Sequence, residues 1–403
     1  MSNFGVVATM AELRAFCISA TDTILYMMGF RADNDGGQGL FFWDSSSSDE
    51  DNSGTVIMST GYAGCGRWKR LYNGSTVYPE WFGAIGDGVT DDQEAITNCI
   101  KADSNIVLRP VTYNLNSISG PNEALTIPNR RTIWAYGTKF KMGASLDTDK
   151  ICLLISDKTW LAGVSDVSIF GLNIDGNRTN RKGGTSSGHG IFISCCDNIR
   201  LTDVTSANNP CDGIEVTGDT TYAGDLSNNV RLQNCLVHNN FRNGLSVTGT
   251  RGFRCYGMVA TGTNGASPQA GIDVEPNGPS SPNVDFRFYG TRCAANAGDG
   301  FLVANSESLS TGIIDGLTST GNGLYGFEST AKPNDVILKG SFGGSNKSGD
   351  FAPGSVDILS LRTSTSSVDI RGEAFNLLRE DQEFRDLITE VVLNTLATYR
   401  RAS

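Results

Sequence analysis

The sequence predicts an all-β chain built around a right-handed parallel β-helix, and three observations carry that prediction. A short motif, a glycine followed by alternating apolar residues, recurs at intervals suited to one coil. No amphipathic helical pattern separates the recurrences, which argues against an α/β fold. Composition also suits many turns: glycine is common at 48 residues, while hydrophobic residues stop at 39% and charged residues at 19%. Turns that need Gly or Asn at positive φ account for such a bias.

The motif stands at Gly190-Ile191-Phe192-Ile193, Gly213-Ile214-Glu215-Val216, Gly244-Leu245-Ser246-Val247, Gly271-Ile272-Asp273-Val274 and Gly300-Phe301-Leu302-Val303. A weaker copy is Gly326-Phe327-Glu328-Ser329, and successive glycines lie 23, 31, 27, 29 and 26 residues apart. Secondary strands such as Asn198–Leu201 and Asn229–Leu232 fall between them. Unequal spacing is expected, because loops bulge from the turns while strands keep register. A β-sandwich fits less well, since hairpin signals are few.

Three regions separate along the 403 residues. Residues 1–78 read as a small β-rich domain, with a helical pattern at Met10–Phe16 and strands at Gly39–Trp43, Gly54–Met58 and Arg67–Tyr72. The polar run Ser45–Asn52 reads as a hairpin tip. Residues 79–372 read as the β-helix. It opens with a capping helix over about 91–101, where Thr90 as N-cap and Gln93 form a capping box and Asp91 and Asp92 favour the helix N-terminus. Residues 373–403 return to helix, with Leu377, Leu378, Phe384, Leu387, Ile388, Val391, Val392 and Leu396 at three- and four-residue spacing. A short, three-stranded oligomerisation helix is the preferred reading there, and a cap along the last coil is the other.

Charge and cysteine usage exclude several classes. Net charge is −11 with no block of Lys and Arg, so the footprint of nucleic-acid binding is missing. The N-terminus lacks a signal-peptide pattern, and no stretch approaches the roughly 18 apolar residues of a membrane span. Ten cysteines are scattered without a C-x-x-C pair, and the two histidines lie far from any paired cysteines. They read as apolar filler in a chain folded in a reducing cytoplasm; no metal and no cofactor are expected.

The segment Trp81-Phe82-Gly83-Ala84-Ile85-Gly86-Asp87-Gly88-Val89-Thr90-Asp91-Asp92 resembles the opening motif of pectate-lyase-superfamily β-helices in bacteriophage tailspikes and depolymerases. Gly36–Asp44 and Gly66–Arg70 resemble the small domain that leads into it. The resemblance covers about residues 10–330 and implies a homotrimeric, virion-tail protein made in the host cytoplasm. It implies action on bacterial surface polysaccharide, with other virion tail proteins as further partners. The motif is specific for the fold and silent on chemistry, since the superfamily holds hydrolases, lyases, epimerases and adhesins.

Strand alternation turns the motif into a map of candidate residues. Positions one and three after the glycine should point inward, positions two and four outward. Position two reads Phe192, Glu215, Ser246, Asp273, Leu302, Glu328, and position four reads Ser194, Thr217, Thr248, Glu275, Ala304, Thr330. Glu215, Asp273 and Glu275 are therefore expected as catalytic acids in one exposed patch. Asp273 and Glu275 should lie roughly 7 Å apart, and Glu215 two coils from Asp273, on the order of 10 Å. An inverting glycosidase wants about 6.5–9.5 Å between its carboxylates. Loops Gly218–Asn229, carrying Tyr222, and Pro276–Asn283 are expected to wall a groove, with Tyr222 stacking on a sugar.

Further substrate-binding candidates are Asp175, Arg178, His189 and Arg242. Asp175-Gly176 is also a strong turn signal. His189 precedes its glycine as Asp212, Asn243 and Asp299 precede theirs, a column that reads as corner chemistry in which side chains bond backbone. His238 reads as a turn residue. Three functions compete: an endo-glycoside hydrolase using Glu215, Asp273 and Glu275; a uronate lyase using Arg178, Arg181, Lys182, Arg242, His189 and Tyr222; and a binding-only adhesin or structural spike.

Overall fold

The computed structural model describes residues 3–16, 23–60, 65–156, 163–181, 187–218, 226–278, 280–304, 309–330, 335–353 and 355. Tyr222, Lys182 and the expected C-terminal helix lie outside them. Within them the chain forms a five-stranded N-terminal sheet and then a parallel β-helix of nine-, ten- and eleven-stranded sheets.

In the N-terminal sheet, Asn3–Val7 pairs parallel with Thr23–Met27, which pairs antiparallel with Gly39–Asp44. Sequence reading missed the first two strands. Helix α1 (Met10–Ala15) starts where the Thr9 hydroxyl accepts the Glu12 amide at 3.3 Å, and it buries Met10 and Leu13. These pack with Leu25, Met27, Phe41, Trp43 and Trp68 in a core of their own. Ser45–Asn52 is not a hairpin tip: Gly39–Asp44 and Val56–Ile57 flank Arg67–Arg70 and do not pair with each other. Its Asp51 instead clamps the Arg14 guanidinium, with Nη2 donating to Oδ1 at 2.9 Å. Buried Arg70 joins the sheet to the entry of the β-helix. It donates to the carbonyls of Gly37, Gln38 and Gly54 and lies 4.5 Å from the centre of the Trp81 ring.

Thr76–Val77 already pair with Asn105–Ile106 as the first rung of the eleven-stranded sheet. The capping box does not form. Helix α2 runs Gln93–Ala102, while Thr90 sits in the strand Asp87–Asp91 and gives its hydroxyl to Asp87 at 2.8 Å. Asp92 stands at the N-cap without capping α2, and its carboxylate accepts the Ile85 and Gly86 amides at 2.6 and 3.1 Å. Short-range turn bonds win over the cap here because the glycine turn presents two amides at once. Burial pushes the Asp92 carboxyl up from its ordinary value, against those amides.

From there each coil contributes one strand to each sheet, except that one rung of the eleven-stranded sheet is broken into Thr250–Arg251 and Arg254–Tyr256. The motif strands stack in the expected register: Ile191, Ile214, Leu245, Ile272, Phe301 and Phe327 are successive partners, and so are Phe192, Glu215, Ser246, Asp273, Leu302 and Glu328. Positions one and three fill a single core running from Val77 to Leu338. Seven of the nine described cysteines are buried, in keeping with their role as filler.

The motif glycines need explaining, since none of the six has positive φ. They are there because another chain segment comes too close for a side chain. A Cβ on Gly213 would lie 2.6 Å from Asn240 Nδ2 and 2.7 Å from the Gly244 carbonyl oxygen. Asn240 belongs to an internal asparagine ladder. Asn209 donates to Asn240 at 2.8 Å, and farther on Asn296 donates to Asn322 at 3.0 Å and Asn322 to Asn346 at 2.8 Å. The Oδ1 atoms of Asn240, Asn322 and Asn346 also take the backbone amide of the rung before, so a corner with no strand partner has its amide satisfied away from water. Positive φ falls instead on turn residues such as Asn208, Asn234 and Asn239. His238 is the last residue of the strand Leu236–His238, one residue before the turn where it was expected.

Candidate functional site

The outer face of the nine-stranded sheet carries the expected acids, but not as an exposed patch. Glu215 is 8% exposed and Asp273 2%, while Glu275 is half-buried. The face begins apolar, with Ile151, Leu154 and Phe192 packed together, and becomes polar from Glu215 on. What shields the acids is the column just before the glycines. Strict alternation assigns that column to the inside. The chain kinks at each glycine, whose own Cβ direction is inward toward Asn240 and Val237, so the preceding residue swings to the outer face.

His189, Asp212 and Asn243 therefore stand over Glu215, Ser246 and Asp273. The His189 Nε2 is 3.1 Å from Glu215 Oε2, and its Nδ1 is 3.6 Å from Asp212 Oδ2, beyond hydrogen-bond distance. The His189 ring lies 5.2 Å from that of Phe192, which fixes its tilt. Asp212 is held on every side. Arg242 grips it in bidentate fashion, Nε to Oδ1 at 3.0 Å and Nη2 to Oδ2 at 2.9 Å. The Asn243 amide donates to Oδ1 at 2.9 Å and the Ser246 hydroxyl to Oδ2 at 2.9 Å. Asn243 Nδ2 then reaches Ser246 at 3.1 Å and Asp273 Oδ2 at 3.0 Å, so one chain of bonds joins Asp212 to Asp273. Asp273 Oδ1 is buried with no partner.

Electrostatics follow from this geometry. Burial pushes the Asp273 carboxyl up to about 7, helped by the charges of Glu275 and Asp212 and opposed by Arg242 and the Asn243 bond. Burial also raises Glu215, against the pull of His189. Farther along, burial lifts Asp299 to about 6, with the neighbouring Glu328 adding to the rise. Burial thus shifts two acids on one sheet face toward the protonated form.

Of the predicted residues, Glu215, Asp273, His189 and Arg242 come together, and Glu275 adjoins Asp273. Asp175 does not join them. It lies on the ten-stranded sheet and accepts the Asn177 amide at 3.0 Å and the Asn208 side chain at 3.1 Å, a turn's bonds. Arg178 gives its guanidinium to Asn264 and lies 5.6 Å from the Phe241 ring centre. Arg181 is buried on backbone carbonyls, among them Lys150 at 2.7 Å. Asp212, Asn243 and Ser246 were missed as site residues. The corner reading was right that Asp212 bonds backbone, but that bond uses one of its several acceptor sites.

His189, Cys211 and Asp212 each place a ligand-type atom within 4.8 Å of the others. They do not suit a cation: both Asp212 oxygens are already taken, and the Arg242 guanidinium beside them would repel it. A separate shallow groove of about 290 Å³ on the ten-stranded side, lined by Val89, Asn114, Lys141 and Asn177 among others, has no acid in its lining.

Comparison with known proteins agrees with this architecture. Residues 6–73 match the model of the phage tail protein small four-stranded β-sheet domain family. The pre-neck appendage protein of Bacillus phage PZA is 22% identical over 319 residues, which is 65% of this chain and 36% of that protein. The chain thus spans little more than a third of the curated relatives it matches. Among solved structures, the enzymatically active domain of bacteriophage CBA120 tailspike protein 2 superposes with a TM-score of 0.61 at 18% identity, covering 88% of this chain and 56% of that one. Tailspike protein gp49 of Acinetobacter baumannii bacteriophage Fri1, described as a capsular polysaccharide depolymerase, gives 0.61 at 13% identity, covering 93% and 78%. The fold is that of the phage tailspike parallel β-helices.

Proposed function

We propose that the chain is a virion-tail depolymerase that binds a bacterial surface polysaccharide, whether capsule, exopolysaccharide or O-antigen, and cleaves it as an endo-acting glycoside hydrolase. The observation that carries the reading is the paired burial of Glu215 and Asp273, two coils apart on one sheet face, with both carboxyls raised. The likeness to the Fri1 tailspike supports the choice of substrate.

In this mechanism the substrate displaces the Asn243 side chain that covers Asp273, and Asp273, still protonated near neutral pH, gives its proton to the glycosidic oxygen as the bond breaks. Glu215 draws a proton from the attacking water on the other side of the ring, with His189 fixing its Oε2. Two coils separate the acids by on the order of 10 Å along the sheet. That is near the upper end of the roughly 6.5–9.5 Å of inverting enzymes, which leaves room for the water. Asp212 and Arg242 act as positioning residues: they anchor Asn243 and Ser246, and through Asn243 the orientation of Asp273. Glu275 serves to keep Asp273 protonated by its charge.

The lyase reading has lost parts, since Arg178, Arg181 and Arg242 are all committed to protein partners. The test is release of reducing ends from a panel of purified capsules and O-antigens. Wild type should release them from one polymer class without product absorbance in the ultraviolet. Glu215→Gln and Asp273→Asn should each lower the rate by several orders of magnitude. Ultraviolet-absorbing products would establish elimination, and binding without cleavage would establish an adhesin; either result overturns the hydrolase.

A further inference from the structure

The outer face of the eleven-stranded sheet holds a second constellation, on a different wall of the coil from the acids. Successive rungs place Thr132, Ser168, Arg200, Arg231, Arg254, Arg287 and Ile313 in one outward column. The adjoining column reads Trp134, Phe170, Thr202, Gln233, Tyr256, Tyr289 and Asp315. Four arginines thus stand on four consecutive rungs, each about 4.8 Å from the next. Aromatic pairs flank them. Trp134 and Phe170 stack with ring centres 4.4 Å apart and planes 11° from parallel, and Tyr256 and Tyr289 do so at 5.3 Å and 12°.

Much of the stripe meets solvent. Trp134 is 43% exposed and Tyr136, beside it, 55%; Arg200 is exposed and the other three arginines half-buried. Among the described ion pairs, Arg254 and Arg287 share Asp285, while Arg200 and Arg231 enter none. Arg231 lies 5.7 Å from the centre of the Tyr256 ring, which orders it without neutralising it. On a chain of net charge −11, Arg200 and Arg231 are thus cations without a carboxylate partner among the described ion pairs. The arrangement suits a ligand that is linear, repeats at about one unit per coil and carries both anionic groups and flat sugar faces. Guanidinium groups recognise carboxylates by paired bonds, and aromatic faces stack on pyranose rings.

We propose that this stripe is a holding site for a linear anionic polysaccharide running along the β-helix axis, separate from the cleavage site. The inference rests on the hydrolase reading only for the polymer's being a carbohydrate; the charge of that polymer comes from the arginine column. The stripe retains the polymer between cleavage events and adds salt-sensitive affinity to the acid-lined face.

The test is calorimetric titration of the full chain with polygalacturonate and polysialic acid, with dextran as the neutral control, at low and high salt. Wild type should bind at least one polyanion, weaken with added salt, and ignore dextran. Arg200→Glu with Arg231→Glu should weaken binding by about tenfold or more, the loss of one to two charged hydrogen bonds. Trp134→Ala should weaken it further. The salt titration needs no variant, so it stands even if a substitution impairs folding. Binding of neither polyanion, equal binding of dextran, or an unaffected arginine variant would overturn the proposal. So would a change of oligomeric state in that variant on sedimentation, which would make the stripe a contact between copies. The hydrolase fails separately, by binding that persists while no polymer yields reducing ends.

Discussion

Replacing Asp273 with asparagine should stabilise the protein at alkaline pH while abolishing cleavage. The Asp273 carboxyl is raised from an ordinary 3.8 to about 7, chiefly by burial. Below about pH 4 both folded and unfolded states carry the proton, and the site costs nothing. Between there and pH 7 the unfolded chain ionises while the folded one holds its proton, so stability falls as pH rises. At about 1.4 kcal/mol per unit over three units, the full loss is on the order of 4 kcal/mol, reached above pH 7. The amide of the Asp273→Asn variant keeps an oxygen for the Asn243 side chain, 3.0 Å from the wild-type carboxylate, and has no charge to bury. The advantage of the variant over wild type should therefore grow by about 4 kcal/mol between pH 4 and pH 8. Guanidinium unfolding followed by tryptophan fluorescence at both pH values measures it. Parallel curves, with a difference of less than about 1 kcal/mol between the two pH values, would refute the buried-carboxyl argument. A stabilised variant that no longer cleaves would place Asp273 among sites where function is kept at the expense of stability.

Substitutions at four further positions test the scaffold around the site. Gly213→Ala drives a Cβ to within 2.6 Å of Asn240 Nδ2 and should cost about 1–3 kcal/mol on thermal unfolding. Asn322→Ala strips the Asn296 amide of its acceptor and should cost about 1–3 kcal/mol, with faster hydrogen exchange at Asn296. Arg242→Met leaves the fully buried Asp212 charge without its bidentate partner, so stability should fall by about 3–5 kcal/mol, with Arg242→Lys recovering part of it. Arg70→Met leaves three carbonyls unpaired where the N-terminal sheet meets the first coil. That sheet should lose exchange protection before the coils do.

How much of this was legible in the sequence depends on which periodicity was in play. The register of the nine-stranded sheet could be read directly, because a glycine and two apolar residues mark each rung. Alternation then assigns Glu215 and Asp273 to one face correctly. Alternation fails at the glycine itself, where the chain kinks around the asparagine ladder. Nothing local in Asp212-Gly213 distinguishes a side chain that swings outward from one that stays within. The same kink explains why the acids are buried: the residues expected at the corner are the ones that cover them. Thr90 and Gln93 misled for a different reason. Their spacing fits a capping box, but Asp87 captures Thr90 and the Ile85–Gly86 amides capture Asp92.

The arginine column was hidden in another way. Arg200, Arg231, Arg254 and Arg287 lie between 23 and 33 residues apart, so no window of the sequence looks basic. A parallel β-helix converts such long intervals into neighbouring rungs, and its three walls can carry opposite charges within one coil. The same register makes the acid network part of the scaffold. Asp212 accepts the Asn243 amide that starts the next rung, so a shift of one coil against the next would release Asn243 from Asp273. The proposed chemistry and the coil stacking therefore share atoms at this wall. Substitutions that loosen the ladder nearby, at Asn240 for example, should change the pH profile of cleavage before they unfold the chain. The cationic wall shares no side chain with the ladder, so the same substitutions should leave polyanion binding as it was.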